Sequence, residues 1–432
     1  MSTNVYQEPS RAVPVVFQAE VIVCGGGPAG AAAAIASART GARTVLLEGQ
    51  GCLGGIWTSG LLTWIIDAGG KRGIMAEIIA RLDRRNARKQ SEGEDFTYDA
   101  EEMKLLLEEM CEEAGVTVLL HTRVVHAGVN DGGRLSIVVT ESKSGRQAWS
   151  AGVFIDATGD GDLAARAGCR FELGRPGTGE TQPMSLMALV AGIRLEDAAP
   201  FTMNGLSEEP KHRLLEQMAQ ADVRPSYSGP SLFHIRDRLF ALMANHEYGA
   251  SAVDAMQISR ATMQARRELH HIVDGLRAAG GVWSGLYLVS TANHIGVREG
   301  RRILGRYVVG EADLREGRKH EDSVCQVRYG IDIHSTNPLQ GKGFGDDGKP
   351  SLPYEIPLRA LIAADVDGLL LAGRCVSGDF IAHSSYRVTG NAVAMGQAAG
   401  ATAALCALSD TLPPQMEWGA IRQALLQLEE WT

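Results

Sequence analysis

The sequence predicts an α/β fold, a Rossmann-like nucleotide-binding sheet interrupted by an inserted second unit, and three observations predict it. A short β-branched run at 19–24 ends in Gly25-Gly26-Gly27 and leads into an alanine-rich stretch at 29–39, which reads as strand, tight turn and helix. A second strand at 43–48 completes a βαβ unit of about 30 residues. Much later, a strand at 368–372 and an apolar helix at 389–408 restore that texture after a segment of different character.

A chain of 432 residues usually divides into two units. The expected division is a tail at 1–18, a first part of the nucleotide-binding domain at 19–182, a substrate or cap domain at 183–284, and a return to the first domain at 285–432. With 45% hydrophobic and 22% charged residues the composition is that of an ordinary globular protein, so folding throughout is expected. A net charge of −9 argues against nucleic acid as a partner, because polyanion binding needs clustered Lys and Arg. The one basic run, 81–89, reads as a solvated helix face. Seven cysteines contain no C-x-x-C pair, so neither a metal site nor a dithiol centre is signalled. The first 18 residues lack the charged start and apolar run of a secretory signal. No stretch reaches the roughly 18 continuous apolar residues of a membrane span. A cytoplasmic location without a membrane partner is therefore expected.

The remaining elements follow from periodicity. Residues 99–114 carry apolar positions at helical spacing, while 116–120 and 135–140 alternate like strands. A strand at 152–156 ends in the turn Ala157-Thr158-Gly159-Asp160-Gly161-Asp162. The inserted domain holds a long helical pattern at about 251–279. Residues 298–302 read as a charge-dense helix start, resembling an R-E-x-R segment, and 374–386 as a loop.

Gly25-Gly26-Gly27-Pro28-Ala29-Gly30 supplies G-x-G-x-x-G between a strand and a helix. Gly25 permits the sharp turn, Gly27 lets the backbone approach a pyrophosphate, and Gly30 allows close packing of helix on sheet, with helix N–H groups facing the phosphates. Glu48 lies 18 positions beyond Gly30, where a carboxylate can accept both hydroxyls of an adenosine ribose. The fingerprint by itself fits NAD as well as FAD.

Ala157-Thr158-Gly159-Asp160 and Gly368-Leu369-Leu370-Leu371-Ala372-Gly373-Arg374 separate the two. These segments resemble the A-T-G-D and G-L-x-x-A-G motifs of FAD-dependent oxidoreductases of the glutathione-reductase-like class. Gly159-Asp160-Gly161-Asp162, Ile331-Asp332-Ile333-His334 and Gly396-Gln397-Ala398-Ala399-Gly400 resemble a family of bacterial FAD-dependent oxidoreductases. The resemblance implies FAD held by Gly25, Gly27, Pro28, Ala29, Gly30, Glu48, Ala157, Thr158, Gly159, Gly373 and Arg374. It also implies Gly54 and Gly55 along the pyrophosphate and flavin, Val124 at adenine, Asp379 at the ribityl chain, and a helix beginning near Asn391 aimed at the flavin pyrimidine edge.

The polar run His383-Ser384-Ser385-Tyr386-Arg387-Val388-Thr389-Gly390-Asn391 has an H-x-x-x-R-x-x-G-N spacing. It is similar to a segment of fumarate reductase and succinate dehydrogenase flavoproteins in which His and Arg hold a substrate carboxylate. Imidazole and guanidinium groups at this spacing suit an oxyanion or a proton released with hydride. Strand alternation places Asp332 and His334 on one face as a second base and its orienter. The candidate catalytic residues are therefore His383, Tyr386, Arg387 and His334, with the base open between the two histidines.

No second G-x-G-x-x-G is present, so a nicotinamide domain is not expected. The leading reading is a dehydrogenase or oxidase that moves hydride between a small organic substrate and flavin N5, with oxygen or an electron carrier as second substrate. A flavin monooxygenase or reductase using an external donor is the alternative, since Gly378–His383 resembles the G-D-x-x-H stretch of flavin hydroxylases. A non-catalytic FAD-binding scaffold is the third. A homodimer is expected by association with similar enzymes.

Overall fold

The structure is a computed structural model that describes residues 5–90, 94–346 and 348–431. Its main sheet is built from β1 (Val15–Cys24), β2 (Thr44–Leu47), β3 (Thr117–Leu119), β4 (Arg123–Val129), β5 (Leu135–Ser142) and β6 (Gly145–Asp156), in the order β3-β2-β1-β6-β5-β4. The helix α1 (Pro28–Arg39) joins β1 to β2, and α2 (Ala100–Glu113) precedes β3. Asp99 caps α2 by accepting from the Glu101 N–H, which explains why that helix starts where its acidic periodicity does.

β6 is long because it serves three partners, β1 along one edge and two strands in turn along the other. Its first half pairs antiparallel with β5, and its last three residues pair in parallel with a strand from the far end of the chain, Leu369–Leu371. Cys24, Leu47, Asp156 and Leu371 are register partners, so four parallel strands end level. In a parallel sheet that shared end is where a ligand crevice opens.

Between β6 and its late partner lies a second layer: β7 (Met187–Ala191), β8 (Ser231–Arg236), β9 (Leu239–Met243), α3 (Ala255–Ala279) and β10 (Tyr287–Thr291). These strands form an antiparallel sheet in the order β8-β9-β7-β10. Leu186, Val190, Phe240, Leu269 and Ile272 belong to its buried cluster, which also takes in Leu61 and Trp64 from the first layer. After β11 (Leu369–Leu371) the chain forms α4 (Phe380–Tyr386) and α5 (Thr389–Ser409).

The helix α5 has the length and apolarity of a membrane span, yet 72% of that window is buried inside the protein. It packs on α1 through small residues: a Cβ at Gly396 would lie 2.1 Å from the Ala29 carbonyl oxygen, and one at Gly400 2.1 Å from that of Ala33. Backbone rests on backbone there, with no side chain able to give way.

Three expectations change. The first strand begins at Val15 rather than 19, because Val15 to Gln18 pair with Ala148 to Ser150 and the Phe17 ring sits against Trp149; the polar Gln18 had hidden the continuation. Residues 374–386 are not a loop, since Asp379 accepts from the Ala382 N–H and caps α4. Residues 298–302 do not start a helix: Arg302-Ile303 pair as a short strand with Phe171-Glu172, and the buried Arg302 is tied to Glu299 at 2.5 Å.

Gly400→Ala should destabilise the protein by about 1–3 kcal/mol through this overpacking. Gly419→Ala, in an exposed helical position with open space around the added methyl, should be neutral or stabilising by up to about 1 kcal/mol. Urea unfolding midpoints of the two variants check the contrast.

Candidate functional site

Each of the four level strands is followed by a residue that faces one cavity of about 540 Å³: Gly25 after β1, Glu48 after β2, Ala157 after β6 and Ala372 after β11. The turns interlock. The Gly25 N–H donates to the Leu47 carbonyl, that of Ala157 to Cys24, and that of Ala372 to Asp156. Gly25 has φ +98°, and a Cβ there would lie 2.4 Å from the Ala157 oxygen, so the turn excludes any side chain. Gly27 is different: its φ is −67° and an added Cβ meets nothing within 4 Å. It faces open cavity at the start of α1, which has no side-chain cap and no acidic residue in its first turn. An anion has room to approach that helix end closely.

The Glu48 carboxylate is oriented by two backbone donors, Gly26 N–H at 2.5 Å and Gln50 N–H at 2.6 Å. Buried Asp156 fixes the second turn by accepting from the Thr158 N–H and Oγ1 and from the Ala164 N–H. Arg374 stands 3.0 Å from Asp160 as an ion pair, while its buried Nη1 lacks a hydrogen-bond partner among the described residues.

Of the residues expected at a cofactor, Gly25, Gly27, Pro28, Ala29, Glu48, Gly55, Val124, Ala157, Thr158, Gly159, Gly373 and Arg374 line the cavity. Gly30 and Gly54 lie behind its wall; a Cβ on Gly30 would strike the Gly25 carbonyl, and Gly54 N–H donates to Gly26. Asp379 is not in the wall, because its carboxylate is spent on the Ala382 and Glu311 N–H groups. Asn391 is buried beside Cys325, and the uncapped start of α5 meets the cavity instead through Val388, Thr389 and Ala392.

Another part of the same wall is made where the second layer, through Phe233 and Met243, meets Trp64 and later segments of the chain. Trp64 and Phe233 stack at 5.4 Å and, with Met243, give an apolar face. Arg298, Asp332, His334 and Arg387 give a polar one. Arg387 donates to the Asp332 carbonyl at 2.7 Å and lies 3.3 Å from its carboxylate. Of the candidate catalytic residues, His334 and Arg387 thus come together, and His383 and Tyr386 do not join them. The α4 helix turns His383 into the interior, where Nε2 lies 3.1 Å from the Arg374 carbonyl oxygen, and Tyr386 donates to the Val376 carbonyl.

The electrostatics of this corner are set by burial. Burial, aided by Arg298, outweighs Asp332 and lowers the His334 pKa to about 4. Burial and then Arg387 bring Arg298 down to about 10, which still leaves it protonated at neutral pH. Burial by itself would raise Asp332, but His334, Arg387 and Arg298 together hold it below the usual carboxylate range. Sequence reasoning missed Arg298 as a cavity residue, and it missed His246, whose Nε2 is 3.1 Å from His334 Nδ1. Nothing in the local pattern around His246 marks it; only folding brings it to His334.

A level parallel-strand crevice, a glycine turn opening on an uncapped helix and a carboxylate fixed at the next strand end form a crevice of the dinucleotide-binding kind. Residues 20–425 match the family described as FAD dependent oxidoreductase, and the chain belongs to that family. Its cofactor is FAD, and the cavity suits it: Gly27 leaves the phosphate approach open, Glu48 is placed for the ribose, and the unpartnered Arg374 Nη1 offers a buried donor.

Among solved structures, the fold is similar to a geranylgeranyl bacteriochlorophyll reductase-like protein from Thermoplasma acidophilum, at 13% identity over 96% of this chain and 83% of that one, TM-score 0.48. It is also similar to p-nitrophenol 4-monooxygenase PnpA from Pseudomonas putida DLL-E4, at 11% identity over 95% and 84%, TM-score 0.48. A third is the myxobacterial chondrochloren halogenase CndH, at 13% identity over 95% and 78%, TM-score 0.46. No curated protein matches the sequence.

Gly27→Val should fold and lose FAD, because its side chain enters the cavity without strain, whereas Gly25→Val should fail to fold stably. The ratio of flavin to protein absorbance, read beside the thermal midpoint, separates the two outcomes. The neutral buried His334 also sets an acid limit. Its pKa is about 4 folded against an ordinary 6.5, so the unfolded state binds more protons between those values and stability falls as pH drops from about 6.5 towards 4. Urea midpoints at pH 7, 6 and 5 should decline, and decline less in His334→Gln.

Proposed function

We propose that the protein moves a hydride between bound FAD and a carbon of a small organic acid, as a dehydrogenase or oxidase, with oxygen or an electron carrier completing the cycle. The charge balance beside the cavity carries this reading. Two guanidinium groups, Arg298 and Arg387, face a single carboxylate, Asp332, while His334 is neutral. One positive charge is in excess, and a buried charge calls for a counter-ion.

Arg298 has the donor to provide for it. Its Nη1 is committed to the Pro183 carbonyl at 2.7 Å and Ser185 Oγ at 2.8 Å, whereas among the described residues its Nη2 meets only the Met243 sulfur, at 4.0 Å. A carboxylate taken by Arg298 and Arg387 lies against the Trp64–Phe233 pair, which favours an apolar body behind an anionic head. Bound FAD supplies the two-electron hydride acceptor or donor. His334 exchanges the accompanying proton at Nε2, and Asp332 fixes the ring from 3.3 Å. The similarity to the fumarate reductase segment supports Arg387 in the anion role; the role of His383 there passes to His334.

Anaerobic mixing with 2-hydroxy and 2-amino acids should bleach the flavin, and neutral alcohols and amines of equal size should not. Arg387→Met should raise the half-saturating acid concentration by about 100-fold, the cost of removing one buried partner of an ion pair. Equal bleaching by neutral compounds would overturn the anionic substrate. NADPH oxidation that depends on an added aromatic would replace the whole reading with a monooxygenase.

A further inference from the structure

A file of three side chains leads away from the polar corner of the cavity. His334, in the cavity wall, sets Nε2 3.3 Å from Asp332 Oδ2 and Nδ1 3.1 Å from His246 Nε2. His246 is 2% exposed and does not line the cavity. Its Nδ1 lies 3.2 Å from the Tyr248 hydroxyl, and Tyr248 is partly exposed next to exposed Gly249. Tyr227 stacks on His246 at 4.1 Å between ring centres, and Phe344 packs on His334 at 5.4 Å. The rings are held in line from the side.

The proton positions along the file follow from its ends. Ionised Asp332 can only accept, so His334 carries its proton on Nε2. A neutral ring then has a bare Nδ1, which requires the proton of His246 on Nε2. That leaves His246 Nδ1 as an acceptor for the Tyr248 hydroxyl at 3.2 Å, and the Ser226 carbonyl oxygen, also at 3.2 Å, is the second acceptor for the same single proton. Both histidine donors therefore point towards the cavity, and the Tyr248 proton joins them whenever it turns from the Ser226 carbonyl to His246 Nδ1.

We propose that Tyr248, His246 and His334 are a proton conduit between solvent and the cavity, serving the proton that the hydride-transfer reading above assigns to His334. In the inward direction His334 Nε2–H gives its proton to the substrate anion formed on hydride delivery. The His246 Nε2–H proton moves to His334 Nδ1, the Tyr248 proton moves to His246 Nδ1, and solvent water reprotonates the phenolate. Three N–H or O–H bonds break in the protein and three form, with no net charge left behind. The file then stands with His334 Nε2 bare, the form that accepts a proton from a substrate hydroxyl when hydride leaves it. Moving each proton one place outward restores the first arrangement. His246 and Tyr248 touch neither substrate nor flavin in this scheme; they act through His334.

The test is the solvent exchange of the His334 Nε2–H in FAD-loaded protein with ¹⁵N-labelled histidine rings, followed by NMR in the wild type, Tyr248→Phe and His246→Gln. A conduit predicts that both variants slow this exchange by about tenfold or more while His334 keeps its Nε2–H tautomer. A packing role predicts the opposite sign, since loosening the file lets water in and speeds exchange. Unchanged or faster exchange in Tyr248→Phe, or an Nδ1–H tautomer of His334 in the wild type, overturns the proposal. Tyr248→Phe keeps the ring and decides the matter even where His246→Gln does not fold. In this experiment cavity water takes the place of the substrate as acceptor of the Nε2–H while the file refills Nδ1, so a failed substrate panel and a failed conduit are separate results.

Discussion

The contact on which the site depends is the one between two turns, at Gly25 and Ala157, where backbone meets backbone at a distance no Cβ survives. It locks the ends of β1 and β6 together, and register then carries β2 and β11 to the same level. Only because those ends are level do Glu48, Thr158 and Arg374 face one cavity. The same economy of side chains recurs where α5 lies on α1, so the helix whose free end meets the cavity is set by the sheet rather than by its own loop.

Charges are concentrated where that scaffold is stiffest. Glu299 and Arg302 form a buried pair, and the guanidinium also donates to the carbonyls of Gly174 and Gly378. This pair ties the strand connection to the loop before α4 and takes no part in the cavity wall. Removing one partner of such a pair leaves a buried charge without compensation, which is costly. Arg298, four residues from Arg302, has the reverse character: it lines the cavity, and the partners of its Nη1 are neutral, the Pro183 carbonyl and Ser185 Oγ. Two arginines from one short charged segment therefore do different work, and burial with geometry separates them.

The α4 segment shows how a plausible motif can be structural. Asp379, His383 through Nε2, and Tyr386 are each fastened to backbone groups of neighbouring turns, while His383 Nδ1 is buried without a partner among the described residues. Together they brace the loop that presents Gly373 and Arg374 to the cavity. Arg387, at the end of that helix, is the member of the run that escapes this fastening far enough to reach Asp332.

The sequence by itself determined the cofactor end. Gly25, Gly27 and Glu48 lie within one strand-turn-helix-strand unit and the Ala157-Thr158-Gly159 turn within another, and each residue type answers a local demand: a positive φ, an open approach or an acid at a strand end. Tertiary structure decided the reactive end. Asp332 and His334 are neighbours by strand alternation, but Arg298 and His246 come from segments far from them and from each other, and neither is required by the element that carries it. Their meeting depends on how the second layer closes over the sheet. That closure is set by long-range packing of Trp64, Phe233 and Met243, for which no local periodicity exists to read.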